Sequence, residues 1–199
     1  MTEVLVLYYS RYGATEALAR EVCQGIDAVD GMAARLRTVP AVSSVAAAAE
    51  DDIPESGPPY ASNADLVECA GLVMGSPTRF GNMAAPLKYF LDGTGTEWLS
   101  GAAAGKPAGL FTSTSSLHGG QESTLLTMAV PLLHHGMLLV GLPYTEEAIS
   151  TTTTGGSPYG ATHVSWNRKA DKLSAEEKLL ARALGQRVAD TARKLCPSV

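Results

Sequence analysis

The chain opens on an unbroken apolar run, Val4-Leu5-Val6-Leu7-Tyr8-Tyr9. With no polar residue alternating, this pattern predicts a strand buried on both faces of a parallel sheet. Behind it Leu18, Val22 and Ile26 recur at fourfold spacing, while Glu16, Arg20, Gln24 and Asp27 are polar, which is the stripe of an amphipathic helix. A buried strand passing straight into a helix is half of a βαβ unit. Ala34 to Val39 alternates and predicts a peripheral second strand. Leu72-Val73-Met74 predicts a third, Ala108-Gly109-Leu110-Phe111 a fourth and Met137 to Val140 a fifth. Asn82 is the expected cap of a helix with Leu87, Phe90 and Leu91 on its core face and Pro86 near its first turn. Glu122 to His135 reads as a helix closed by Gly136. Ser174-Ala175-Glu176-Glu177 has the spacing of a capping box ahead of a last helix bearing Leu180, Leu184, Val188 and Ala192 on one face.

Strands alternating with helices imply an α/β fold, a doubly wound parallel sheet with helices on both faces. Five strands in a chain of 199 residues favour the order 2-1-3-4-5 and one domain over 1–199. In that order ligands bind in the crevice at the carboxyl ends of the strands. Two stretches exceed the minimal pattern, about 40–62 (Ala, Pro and acids) and about 144–171 (Thr, Gly and Ser). Their length suits surface insertions, or lids and subunit contacts.

Composition narrows the classes. Hydrophobic residues at 45% and charged ones at 18% describe a globular protein able to bury a sizeable core. A net charge of −5 with no Lys/Arg cluster argues against a nucleic-acid partner. Cys23, Cys69 and Cys196 are scattered, which fits reduced, small buried residues rather than a disulfide framework. Neither a signal peptide nor a membrane helix is expected, so the chain reads as cytoplasmic.

The candidate chemistry sits in three loops. Ser10-Arg11-Tyr12-Gly13-Ala14-Thr15 follows the first strand and opens a helix, where free N–H groups favour a phosphate. It lacks a G-x-G-x-x-G or Walker pattern, so a monophosphate suits it better than a pyrophosphate. Gly75 to Met83 follows the third strand; Pro77 and the glycines make it rigid, Thr78 and Arg79 offer donors and Phe80 an aromatic face. A flat heteroaromatic ring needs that mixture. Thr112 to Gln121 follows the fourth strand and brings hydroxyls and glycines to the same crevice. No G-x-S-x-G elbow surrounds Ser10, which excludes a hydrolase of that type.

At these loops the sequence resembles the tryptophan-repressor-binding-protein family of flavodoxin-like NAD(P)H:quinone oxidoreductases. The resemblance runs from Val4 to the last helix. Its most specific stretches are Pro77 to Met83, Gly119-Gly120-Gln121-Glu122, His134-His135-Gly136-Met137 and Gly155 to Thr162. It implies FMN as cofactor, with the phosphate on Ser10, Arg11, Tyr12, Gly13, Ala14 and Thr15. Pro77, Thr78, Arg79 and Phe80 would hold the isoalloxazine. Ser113, Thr114, Ser115, Ser116, Leu117, His118 and Gly119 would close around the ring and ribityl chain, with His134 near the flavin. Tyr12, Phe80, Trp98 and His134 would shape a slot for NADH or NADPH and then a quinone, in a two-electron ping-pong cycle. Family members are homotetramers, and Trp98 would come from a neighbouring subunit. Leu117-His118 and Pro131 depart from the family pattern.

Weighed singly, His134 and His135 adjoin on a helix and point apart, so they are no metal pair. His118 and His163 read as surface residues. The rival function is a flavodoxin-like electron carrier without a substrate of its own. Such carriers are typically far more acidic than this chain. A regulatory or scaffold protein is a third reading.

Overall fold

The computed structural model describes residues 1–43, 57–165 and 172–195. β1 (Thr2–Tyr8) runs into α1 (Ala14–Asp27), and the chain returns as β2 (Met32–Thr38). α2 (Asn63–Glu68) leads to β3 (Gly71–Pro77), followed by α3 (Ala85–Asp92) and the short α4 (Gly95–Leu99). β4 (Pro107–Thr114), α5 (Gln121–His134), β5 (Leu138–Leu139), α6 (Glu147–Thr151), β6 (Ala161–Val164) and α7 (Ala175–Leu195) complete the order. The sheet is parallel in the order β2-β1-β3-β4-β5, as the alternation of strands and helices predicted.

The unbroken apolar strands divide their side chains between two cores, as a period of two dictates. Val4, Val6 and Tyr8 pack under α1 and α7 with Leu18, Val22, Ile26, Leu180, Leu184 and Val188. Leu5 and Leu7 face the opposite layer with Leu72, Met74, Leu87, Leu91, Leu125, Met128 and Leu132. α1 and α7 cross at van der Waals distance because Gly25 and Gly185 lie at the contact. A Cβ on Gly185 would sit 2.2 Å from the Val22 carbonyl oxygen, and one on Gly25 2.0 Å from that of Arg182.

Three expectations need correction. The region 144–171 is not all surface insertion: residues 144–154 are exposed or half-buried, but the stretch after them enters the sheet. β6 is buried and pairs in parallel with Phe111 to Thr114, while β5 pairs only with Pro107 and Ala108. The fifth position of the sheet is therefore shared by two short strands. His163, expected at the surface, lies on β6 with its side chain 0% exposed. The apolar pattern of β6 is too short to reveal a strand, so a polar residue there read as solvated. Asn82 does not cap α3: Ala84 does, and its N–H donates to Ser76 Oγ at 2.8 Å. Asn82 instead belongs to a turn, with Arg79 and Asn82 exchanging backbone hydrogen bonds of 2.7 and 3.0 Å. The capping box at the last helix is present, since Glu177 N–H donates to Ser174 Oγ and Ser174 N–H to Glu177 Oε2. Part of 40–62 and Cys196 lie outside the described residues.

Candidate functional site

Gly13 takes a left-handed conformation, φ 87°, directly before α1, and donates its N–H to Ser10 Oγ at 3.1 Å. A side chain would strain that turn. Having none, Gly13 also leaves the N–H groups of the first helical turn uncapped and open to an acceptor. Two places along the sheet from β1, Ser113 Oγ meets Thr15 Oγ1 at 2.8 Å, both buried, which ties the end of β4 to the start of α1. Thr78 N–H donates to the Ser113 carbonyl at 2.9 Å, drawing in the turn after β3.

The result is a cavity of about 270 Å³ walled by Ser10, Arg11, Tyr12, Ala14, Thr15, Pro77, Thr78, Arg79, Ser113, Thr114, Ser115 and Ser165. These walls carry arginines and hydroxyls and, among the described residues, no carboxylate. With the helix N-terminus they suit a phosphorylated ligand. The three loops do converge. Ser113 and Thr114, expected in a loop, are the last residues of β4, which fixes their hydroxyls more firmly than a loop would.

Phe80 projects beside this cavity, fully exposed, at φ 53°. With Gly81 at φ 77° it makes a two-residue turn of the I′ pattern. Thr78 Oγ1 receives the Thr124 hydroxyl at 2.8 Å, and Thr127 Oγ1 donates to the Gly81 carbonyl at 3.0 Å, so α5 holds the turn in place. Tyr12 is exposed with the Arg11 guanidinium 5.6 Å from its ring centroid. Ser116, Leu117, His118 and Gly119 form the strip beyond Ser115, outside the cavity walls.

Trp98 and His134 lie elsewhere in the chain. They wall a separate cleft of about 550 Å³ with Asn82, Met83, Leu91, Thr94, Val130 and His135. Trp98 Nε1 donates to the His134 carbonyl at 2.8 Å, coupling α4 to the end of α5. α5 passes through Pro131 and reaches His134 as its last residue, where His135 caps it. Thr94 hydroxyl donates to the Leu91 carbonyl at 2.7 Å, so the 3.0 Å contact with His135 Nε2 makes that nitrogen the donor. His135 Nδ1 is then a bare, buried acceptor without a partner among the described residues, and burial pushes the pKa of this imidazole down. No group of His, Cys, Asp or Glu side chains among the described residues could hold a metal ion.

Sequence reasoning missed Ser165, which completes the cavity wall, because its strand was not recognised. It also missed the pair of His163 Nδ1 and Glu177 Oε2, 2.8 Å apart. Glu177 was visible only as a capping residue. Of the thiols described, Cys69 is buried as expected while Cys23 is only partly so; burial pushes Cys23 up to about 12 and raises Cys69.

The parallel order, the uncapped helix N-terminus and the hydroxyl-lined crevice at the carboxyl ends of β1, β3 and β4 define a flavodoxin-fold protein. The solved structure of a flavodoxin-type, WrbA-like protein from Agrobacterium tumefaciens matches 98% of this chain and 99% of its own, with a TM-score of 0.69 at 23% identity. Residues 2–146 match the NADPH-dependent FMN reductase family, and the chain belongs to that family. A relative in Solidesulfovibrio magneticus named NAD(P)H dehydrogenase (quinone) is 42% identical over 96% of this chain and 98% of its own. One of the same name in Syntrophobacter fumaroxidans is 42% identical over 97% and 98%.

Proposed function

We propose that this chain is an FMN-dependent NAD(P)H:quinone oxidoreductase working in the cytoplasm. One observation carries the reading: the first turn of α1, the turn at Thr78–Arg79 and the end of β4 wall a single anion-suited cavity beside an exposed aromatic ring. FMN, when bound, supplies the two-electron chemistry, taking a hydride from NAD(P)H and yielding it to a quinone. The chain's own residues bind and orient. The N–H groups that open α1, with the Ser10 hydroxyl and Arg11, hold the phosphate. Pro77, Thr78, Arg79 and Phe80 hold the ring, and residues 113–119 close around the ring and ribityl chain. Tyr12 and Phe80 present aromatic faces against which a nicotinamide or a quinone would stack, and stacking would orient it toward the ring.

Trp98 and His134 complete the slot from a neighbouring copy in a homotetramer. Two features support this. Their cleft shares no wall residue with the phosphate cavity of the same chain. The outer face of α5 beside it exposes Leu126, Val130 and Leu133 at helical spacing, an apolar stripe suited to burial against another subunit. Among the described residues no helix is long and apolar enough to cross a membrane.

The deciding experiment supplies purified protein with FMN and follows NADH and NADPH oxidation with benzoquinone. The enzyme reading expects sustained turnover, saturable in both substrates. An electron carrier binds FMN but shows almost no steady-state turnover, and that result overturns the proposal.

A further inference from the structure

The inserted strand and the flavin loop are joined by a chain of hydrogen bonds whose donors and acceptors are fixed at every step. Gln121 opens α5 and is 5% exposed; its Nε2 donates to the Leu117 carbonyl at 2.7 Å. Because a carbonyl can only accept, the side-chain amide has one orientation, and its Oε1 faces Thr162. Thr162, fully buried on β6, must therefore donate its hydroxyl to that oxygen. Its free lone pair receives the Gly156 N–H at 2.6 Å.

The far end is anchored as firmly. Buried Glu177 of α7 accepts Gly155 N–H at 2.9 Å and Val164 N–H at 3.0 Å on Oε1. On Oε2 it accepts Ser174 N–H and His163 Nδ1, each at 2.8 Å. Three of these contacts are backbone N–H donors, and together they hold the carboxyl below its ordinary value, so it is ionised and His163 Nδ1 supplies the fourth donor. From the other side, Thr114 Oγ1 donates to the Ser116 carbonyl at 2.8 Å, and Ser165 N–H donates to the Thr114 carbonyl at 2.9 Å. Both carbonyls at the base of the loop, Ser116 and Leu117, are thus held by groups backed by β6. Ser165, the residue after β6, walls the phosphate cavity itself.

We propose that Gln121 and Thr162 are positioning residues for the flavin loop, so that the inserted segment ending in β6 sets the loop's shape through Leu117. The inference rests on FMN being the cofactor. Neither side chain walls the cavity, so they act through the loop and not by contact. Leu117 stands outside the walls of the phosphate cavity, and on the FMN reading the loop beyond Ser115 closes on the ring and ribityl chain. Loosening it weakens every flavin alike, phosphorylated or not.

The test titrates FMN and riboflavin into the flavin-free protein, reading flavin fluorescence, with Thr162→Val, Thr162→Ser and Gln121→Met alongside the unaltered chain. Removing the relay should weaken both ligands by a similar factor, about five- to tenfold for Thr162→Val. Thr162→Ser, which keeps the hydroxyl, should stay within about twofold. A purely structural role would lower the melting temperature of the flavin-free variants and leave both dissociation constants where they were, and that result overturns the proposal. So does weakening confined to FMN, which would place the effect at the phosphate. Gln121→Met carries the test if Thr162→Val does not fold. Failure of the unaltered chain to take up FMN overturns the cofactor assignment and this inference together, whereas normal FMN uptake with indifferent variants overturns this inference alone.

Discussion

Phe80 is fully exposed and stands at φ 53°, a conformation that costs a non-glycine residue roughly 1–3 kcal/mol. Such a residue carries backbone strain and gains nothing from its ring, which stays in water. A ligand stacked on the ring offsets the strain. Phe80→Gly should therefore raise the stability of the flavin-free protein by about 1 kcal/mol while weakening FMN binding, so the melting temperature and the dissociation constant rise together. A variant less stable than the original would remove the strain argument. Trp98 carries a different test. It is half exposed, and its indole N–H is taken by the His134 carbonyl, so its ring is oriented without ligand. Trp98→Ala should raise KM for the quinone severalfold, by loss of about 1 kcal/mol of stacking, and leave the flavin titration unchanged. Unaltered steady-state kinetics would take Trp98 out of the slot. Residue types at the loops were legible in the sequence because glycine, proline and hydroxyl clusters have direct local meanings. The positive φ of Phe80 was not, since nothing in the chain marks a phenylalanine forced into a position that favours glycine or asparagine.

At the scale of elements, the strongest signals came from unbroken or periodic apolar runs. β1 and β3, α1 and α7 emerged from the sequence because their burial is dictated by their own residues. The strand β6 did not, because Ala161 to Val164 is four residues holding a threonine and a histidine. Its burial comes from partners far along the chain, Gln121 and Glu177, and such pairing leaves no local trace. The Asn82 error has the same origin: asparagine favours both caps and tight turns, and the neighbouring Ser76 hydroxyl decided between them. The crossing of α1 and α7 makes a clean prediction. Gly185→Ala drives a methyl into the Val22 carbonyl, and backbone cannot give way as a side-chain tip can. Separation of the helices should cost about 1–3 kcal/mol, read as a lower denaturant midpoint at constant m-value. A variant as stable as the original would show that the two helices are less tightly docked.

For the whole molecule, acid sensitivity follows from a buried carboxylate and a half-buried imidazole on opposite sides of the sheet. Burial alone would raise the carboxyl of Glu177, but the bonds from His163, Ser174 and Val164 outweigh it and hold it below its ordinary value of 4.5. His135 is held below 6.5 by burial. Both folded values are depressed, so both groups add stability that is fully present above their unfolded values and is lost as pH falls toward the folded ones. Melting temperature should decline in two stages, a shallow one below about pH 6.5 and a steeper one below about pH 4.5. Glu177→Gln should remove the steeper stage, and a variant that keeps it would assign the acid transition to other carboxylates. The strands bordering the sheet carry a further consequence. An outermost strand with bare N–H and C=O groups is a template on which another chain can grow a fibril. On one border β2 bears Arg35 and Arg37, and Thr38 N–H is already spent on the Pro59 carbonyl. On the other, the break between Leu139 and Ala161 leaves two steps of two and four residues, neither long enough to seed an intruding strand. Dividing that border in two guards the sheet against growth by an added strand.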